Sequence, residues 1–112
     1  MDGLRVTPFS VGDVEIGRGK LAIIAGPCMA ESYDLCLEVG ETMARLCRER
    51  GFGYIFKASF DKANRTSASS VRGNGIEEGL DVIARVGVAL GAPTTTDVHL
   101  PEQCALAARS ID

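Results

Sequence analysis

The most constraining feature of the sequence is the alternation of short, wholly apolar runs with longer stretches of helical period. Leu21-Ala22-Ile23-Ile24-Ala25 is apolar without interruption and stops at Gly26-Pro27. A run with no polar side suits a strand covered on both faces, as in a parallel sheet. From Ser32 to Arg50 the residues Leu35, Cys36, Val39, Met43, Leu46 and Cys47 recur at helical spacing, charged residues take the other face, and Gly51 supplies a stop. Tyr54-Ile55-Phe56-Lys57 reads as a second strand. A second helix is expected from Asn74 as N-cap, with Glu77 three residues on and an apolar face of Ile76, Leu80, Ile83, Val86 and Leu90. Pro93 to Asp97 reads as a third strand and about Pro101 to Arg109 as a third helix. Ahead of these, the alternating stretch Val11 to Ile16 reads as part of a small hairpin or arm.

The order βαβαβα predicts an α/β fold with a parallel sheet. A doubly wound sheet and the first part of a (β/α)8 TIM barrel both satisfy it. A complete barrel needs about 250 residues, and this chain has 112. A three-strand parallel sheet is small for a free-standing fold, so the chain, an arm over residues 1–20 and about three βα units over 21–112, reads as part of something larger, truncated at the C-terminal side, with both architectures open.

Charge and composition narrow the function. The formal charge is −3 with no long Lys/Arg cluster, which argues against a nucleic-acid or anionic-membrane surface. Aromatics are 5% with no Trp, so a base-stacking platform is not expected. No apolar run reaches the roughly 20 residues of a membrane span, and no apolar leader segment follows Met1. These features predict a soluble, cytoplasmic protein. Without a leader, the four cysteines (Cys28, Cys36, Cys47, Cys104) read as free thiols rather than a disulfide framework.

In either α/β architecture the chemistry lies at the C-terminal ends of the parallel strands. Those ends carry Cys28, Glu31 and Ser32 after the first strand, Lys57, Ser59 and Lys62 after the second, and Asp97 with His99 after the third. The opposite ends hold only turn residues such as Gly51-Phe52-Gly53 and Gly91-Ala92. Between Lys57 and Arg72 there are two Lys, two Arg and five Ser/Thr. Cations and hydroxyl donors directly after a buried strand suit an anionic, oxygen-rich ligand such as a sugar phosphate or a phosphoenol acid. Cys28 reads as either a thiolate metal ligand or an inert thiol, and His99 as a hydrogen-bonding or supporting group. Asp97 suits a metal, sugar hydroxyls or a turn cap.

Ile24-Ala25-Gly26-Pro27-Cys28 with Glu31-Ser32 resembles the first-strand motif shared by the 3-deoxy-D-manno-octulosonate 8-phosphate synthases and the related 3-deoxy-arabino-heptulosonate 7-phosphate synthases. The run Phe56-Lys57-Ala58-Ser59-Phe60-Asp61-Lys62-Ala63-Asn64-Arg65 is similar to the octulosonate signature, whereas the heptulosonate enzymes carry a Lys-Pro-Arg-Thr type of loop there. Arg72-Gly73, Gly75, Glu77-Glu78-Gly79 and Thr96-Asp97-Val98-His99 continue the likeness in order.

The resemblance implies a (β/α)8 barrel that condenses phosphoenolpyruvate with D-arabinose 5-phosphate, a step toward lipopolysaccharide. It implies a homo-oligomer, a tetramer, with no nucleic-acid or membrane partner. It places Lys57 and Lys62 in charge stabilisation and proton transfer, and Asp97 near the sugar hydroxyls and the metal. It assigns Ser59, Asn64, Arg65 and Thr66 to substrate binding, with Arg65 and Thr66 on the sugar phosphate. Cys28 marks the metal-dependent subtype, whose divalent transition metal would be of the zinc, iron or manganese class. The chain departs from the family pattern at Ser69, where a histidine is usual, and at Leu100, where a glutamate is usual. A heptulosonate-type synthase and a non-catalytic half-barrel are the competing expectations.

Overall fold

The computed structural model describes residues 5–60 and 75–112. Two short strands, β1 (Phe9–Val11) and β2 (Val14–Ile16), pair antiparallel as a hairpin. The main sheet has three parallel strands in the order β3 (Ala22–Ala25), β4 (Gly53–Lys57) and β5 (Thr94–Thr95). Helices α1 (Tyr33–Arg50), α2 (Gly75–Leu90) and α3 (Gln103–Ala107) follow the three sheet strands in turn. The chain is therefore α/β with consecutive, singly wound βα units, the architecture of a portion of a (β/α)8 barrel.

Alternation along β4 divides the sheet into two faces. Tyr54, Phe56 and Ala58 enter the core with Cys36 and Cys47 of α1 and with Leu80, Ile83 and Val86 of α2. Ile55 is buried outside that cluster, and Lys57 and Ser59 share its side of the strand by the same period. On the neighbouring strand Ile24 is 54% exposed while Ile23 packs on the core. All three helices thus cover one face, and the other face carries the polar strand ends.

Local signals explain the elements. Ser32 is extended and its hydroxyl accepts from the Leu35 N–H at 3.1 Å, while Gly51 closes α1 at φ 71°, a conformation with little steric cost only for glycine. The second helix begins at Gly75; the expected N-cap, Asn74, lies outside the described residues. Arg85 of α2 stacks on the Tyr33 ring of α1, 4.4 Å from its centroid.

Several sequence expectations shift. The stretch Val11 to Ile16 contains its own turn at Gly12-Asp13, so the hairpin starts earlier, at Phe9. The third strand contracts to Thr94–Thr95 because only these residues pair with β4. The third helix contracts to Gln103–Ala107, with Pro101-Glu102 forming a turn ahead of it. Leu35 is exposed, since the buried stripe of α1 runs through Cys36, Gly40 and Cys47. Cys36 and Cys47 are buried free thiols, as the helical period predicts, and Cys28 and Cys104 are exposed free thiols. Burial, aided by Glu31, pushes the Cys36 thiol up against the opposing backbone hydrogen bond from Ser32, which leaves it a packing residue.

Candidate active site

The C-terminal ends of the three sheet strands converge on Asp97. Its Oδ1 accepts a 2.5 Å hydrogen bond from the Ser59 hydroxyl. The Lys57 Nζ stands 3.6 Å from the same oxygen, and His99 Nε2 stands 3.6 Å from Oδ2. The parallel register makes this convergence possible. Lys57 pairs with Thr95, so Ser59 and Asp97 extend beyond the paired region side by side. The Thr96 hydroxyl donates to the Ala58 carbonyl at 2.8 Å and ties the two strand ends together.

Cys28 reaches the same end by a different route. After Gly26-Pro27 interrupts β3, the chain resumes parallel pairing at Met29 and Ser59. Ser59 N–H donates to the Cys28 carbonyl at 3.3 Å, and Ala30 N–H donates to the Ser59 carbonyl at 2.9 Å. Gly26 permits this approach: a Cβ there would lie 1.9 Å from the Lys57 carbonyl oxygen. Cys28 is thus one rung from the Ser59–Asp97 pair.

Two opposed effects act on the Asp97 carboxyl. Partial burial raises its pKa, and the Ser59 hydrogen bond, the Lys57 ammonium, its own backbone N–H and His99 together outweigh that and lower it. At neutral pH Asp97 is an ionised acceptor with a cation beside it. Both Lys57 and Asp97 are 41% exposed at the side chain, so water screens the pair and its purpose is placement more than stability. The arrangement can accept hydrogen bonds from hydroxyls and present an ammonium to an anion.

Of the residues expected from sequence, the structure gathers Lys57, Ser59 and Asp97 into one cluster and sets Cys28 next to it. Lys62, Asn64, Arg65 and Thr66 lie outside the described residues. Among the described residues no three of His, Cys, Asp and Glu come together in a metal-holding group, so Cys28 supplies at most one donor to a centre that these residues alone do not complete. Two residues escaped the sequence reading. Thr96 was legible as strand and motif material but carried no role, and Gln103 accepts at Oε1 from the backbone N–H groups of His99 (2.8 Å) and Leu100 (3.1 Å). The Gln three residues after Leu100, with Pro101 between, is half of a capping-box signature and was the available signal.

A cavity of about 530 Å³ lies at the other end of the strands, lined by Asp13, Glu15, Lys20, Arg48, Phe52 and Pro93 among others. It sits under the hairpin and away from the cluster around Asp97. The residue chemistry, not cavity size, locates the candidate site.

A parallel sheet with its polar groups at the carboxyl ends of the strands defines the class as a βα-barrel type of enzyme scaffold. Residues 5–112 match the DAHP synthetase I family, and the chain belongs to that family. It is 48% identical over 107 residues to a 2-dehydro-3-deoxyphosphooctonate aldolase of Koribacter versatilis, covering 96% of this chain and 38% of that protein. A protein of the same name from Dechloromonas aromatica is 51% identical over 90 residues, covering 80% of this chain and 32% of that protein. A third, from Desulfotalea psychrophila, is 45% identical over 113 residues, covering 96% of this chain and 40% of that protein. The chain thus spans well under half the length of these relatives. No helix among the described residues is long and apolar enough to cross a membrane.

Proposed function

We propose that the protein carrying this chain condenses phosphoenolpyruvate with D-arabinose 5-phosphate and water, giving 3-deoxy-D-manno-octulosonate 8-phosphate and inorganic phosphate. The relatives' name describes an aldolase acting on a phosphorylated 2-keto octonate, and three enol-pyruvate carbons joined to five aldose carbons make that skeleton. The observation that carries the reading is the Ser59–Asp97–Lys57 cluster at the strand ends. It pairs an acceptor for sugar hydroxyls with an ammonium for an anionic or developing alkoxide oxygen.

In this reading C3 of phosphoenolpyruvate attacks the aldehyde carbon, water adds at C2, and the C2–O bond breaks to release phosphate. The aldehyde oxygen gains a proton and becomes a hydroxyl. Lys57 and Lys62 stabilise charge and supply that proton. Asp97, kept ionised, orients the sugar hydroxyls with Ser59, while Asn64, Arg65 and Thr66 hold the aldose and its phosphate. Cys28 donates one thiolate to a divalent transition metal whose other ligands lie outside the described residues; when bound, the ion would act as a Lewis acid. The enzyme works in the cytoplasm as a homo-tetramer.

The test is turnover of phosphoenolpyruvate with arabinose 5-phosphate by the full-length protein, with and without a chelator and added metal. Consumption of arabinose 5-phosphate supports the synthase, and loss on chelation that Cys28→Asn abolishes supports the thiolate ligand. Turnover of erythrose 4-phosphate instead would reassign the protein to the heptulosonate type. Failure with both sugars would leave the non-catalytic reading.

A further inference from the structure

We propose that Gln103 is a positioning residue that sets the placement of His99 and Asp97 at the strand ends. The inference rests on the reading above, in which Asp97 faces the substrate. Gln103 is a buried polar residue at the start of α3, 9% exposed. Its Oε1 takes two backbone donors at once, His99 N–H at 2.8 Å and Leu100 N–H at 3.1 Å, which uses both lone pairs of the amide oxygen. Its own N–H donates to the Leu100 carbonyl at 3.0 Å, so the turn from His99 to Gln103 is closed from both sides.

The residues before this turn are the ones that matter chemically. The segment from Thr96 to Leu100 is tied at its first residue by the Thr96–Ala58 hydrogen bond and at its last two by Gln103. Asp97 stands between the two ties. The His99 ring lies against Phe60 with centroids 6.0 Å apart, and its Nε2 faces the Asp97 carboxylate. Without the Gln103 oxygen, the part-buried His99 and Leu100 N–H groups lose their acceptor, and the turn can open to water instead. The fold then loses little, but the constraint on the carboxylate is gone. A reacting group displaced by about an ångström reacts far more slowly, so the clamp acts on rate rather than on folding.

The experiment compares Gln103→Leu, which removes the acceptor at similar volume, with Gln103→Glu, which keeps it, in the full-length protein. Amide hydrogen exchange at His99 and Leu100 reads the clamp directly, and condensation kinetics read its consequence. The expected result for Gln103→Leu is exchange faster by about tenfold at both amides, as loss of a hydrogen bond gives. Its kcat should fall by about tenfold or more with KM for phosphoenolpyruvate little changed, and Gln103→Glu should restore both. Unchanged exchange in Gln103→Leu, or a wild-type kcat despite faster exchange, or a Glu variant as slow as the Leu variant, would each overturn the proposal. If the wild-type protein shows no condensation at all, the functional reading fails. Exchange then still decides the clamp: fast in Leu and slow in Glu upholds it, and equal rates overturn it.

Discussion

Replacing Gly26 by alanine tests how the site is assembled, because the close approach of two backbones leaves no room there. The new Cβ would lie 1.9 Å from the Lys57 carbonyl oxygen and 2.9 Å from its carbon. A carbon–oxygen contact settles near 3.3 Å, so the two strands must part by roughly 1.4 Å. Both partners are backbone, and neither can rotate away. The parting stretches the Ser59–Cys28 and Ala30–Ser59 hydrogen bonds, now 3.3 and 2.9 Å, past useful length. At about 1 kcal/mol net for each bond, and about 1–3 kcal/mol for overpacking, the loss sums to about 3–5 kcal/mol. That is a large share of the 5–15 kcal/mol typical of a folded protein. Urea unfolding followed by circular dichroism measures it directly, with m checked for constancy. Gly75→Ala is the control, since among the described residues nothing lies within 4 Å of a Cβ there and alanine is the better helix former. A Gly26→Ala loss below about 1 kcal/mol would refute the argument that this glycine is required by contact.

Other perturbations probe the remaining parts of the structure. Ser59→Ala removes a hydrogen bond that lowers the Asp97 pKa, so that pKa should rise, as a carboxyl carbon NMR titration would show. The sign follows from linkage: a depressed carboxyl contributes stability above its unfolded pKa and loses it as pH falls through the folded one. The acid-side loss from this group should therefore be smaller in the variant and complete at higher pH, and identical acid-unfolding profiles would contradict this. Phe56→Ala empties a fully buried position at the junction of β4, α1 and α2; the loss should be about 3–5 kcal/mol by denaturant titration. Ser32→Ala deletes the hydroxyl that caps α1 and should cost about 1 kcal/mol, recoverable with Ser32→Asp.

Much of the fold was legible because the strands need no polar face. Ile55 and Phe56 are both buried though they point to opposite sides, and only a continuous apolar run satisfies that. Residue hydrophobicity was less informative about which way α1 faces. Its buried stripe includes Gly40, which carries no hydrophobic signal, and leaves Leu35 in solvent. The candidate site was legible as position, since Lys57 ends one strand and Asp97 stands just beyond the next. Its internal geometry was not. Ser59 and Asp97 are 38 residues apart, and only the pairing of Lys57 with Thr95 tells which side chains meet. Gln103 was harder still, because its partners are backbone N–H groups that every residue except proline possesses.

The direction of the helices gives the molecule an electrical polarity. Since the sheet strands are parallel, α1 and α2 both run back along them, and their starts lie near Lys57 and Asp97 while their ends lie under the hairpin. Each helix start carries roughly half a positive elementary charge and each end roughly half a negative one. In the cavity beneath the hairpin, Asp13 and Glu15 are balanced by Lys20 and Arg48, so the helix ends set the sign there. A chain of net charge −3 weakly repels a phosphate dianion from most directions. Along the strand axis, however, the two poles differ: one repels that ion and the other attracts it. Capture of the anionic substrates proposed above would then be directional, and raising the ionic strength should erode the preference for one pole over the other.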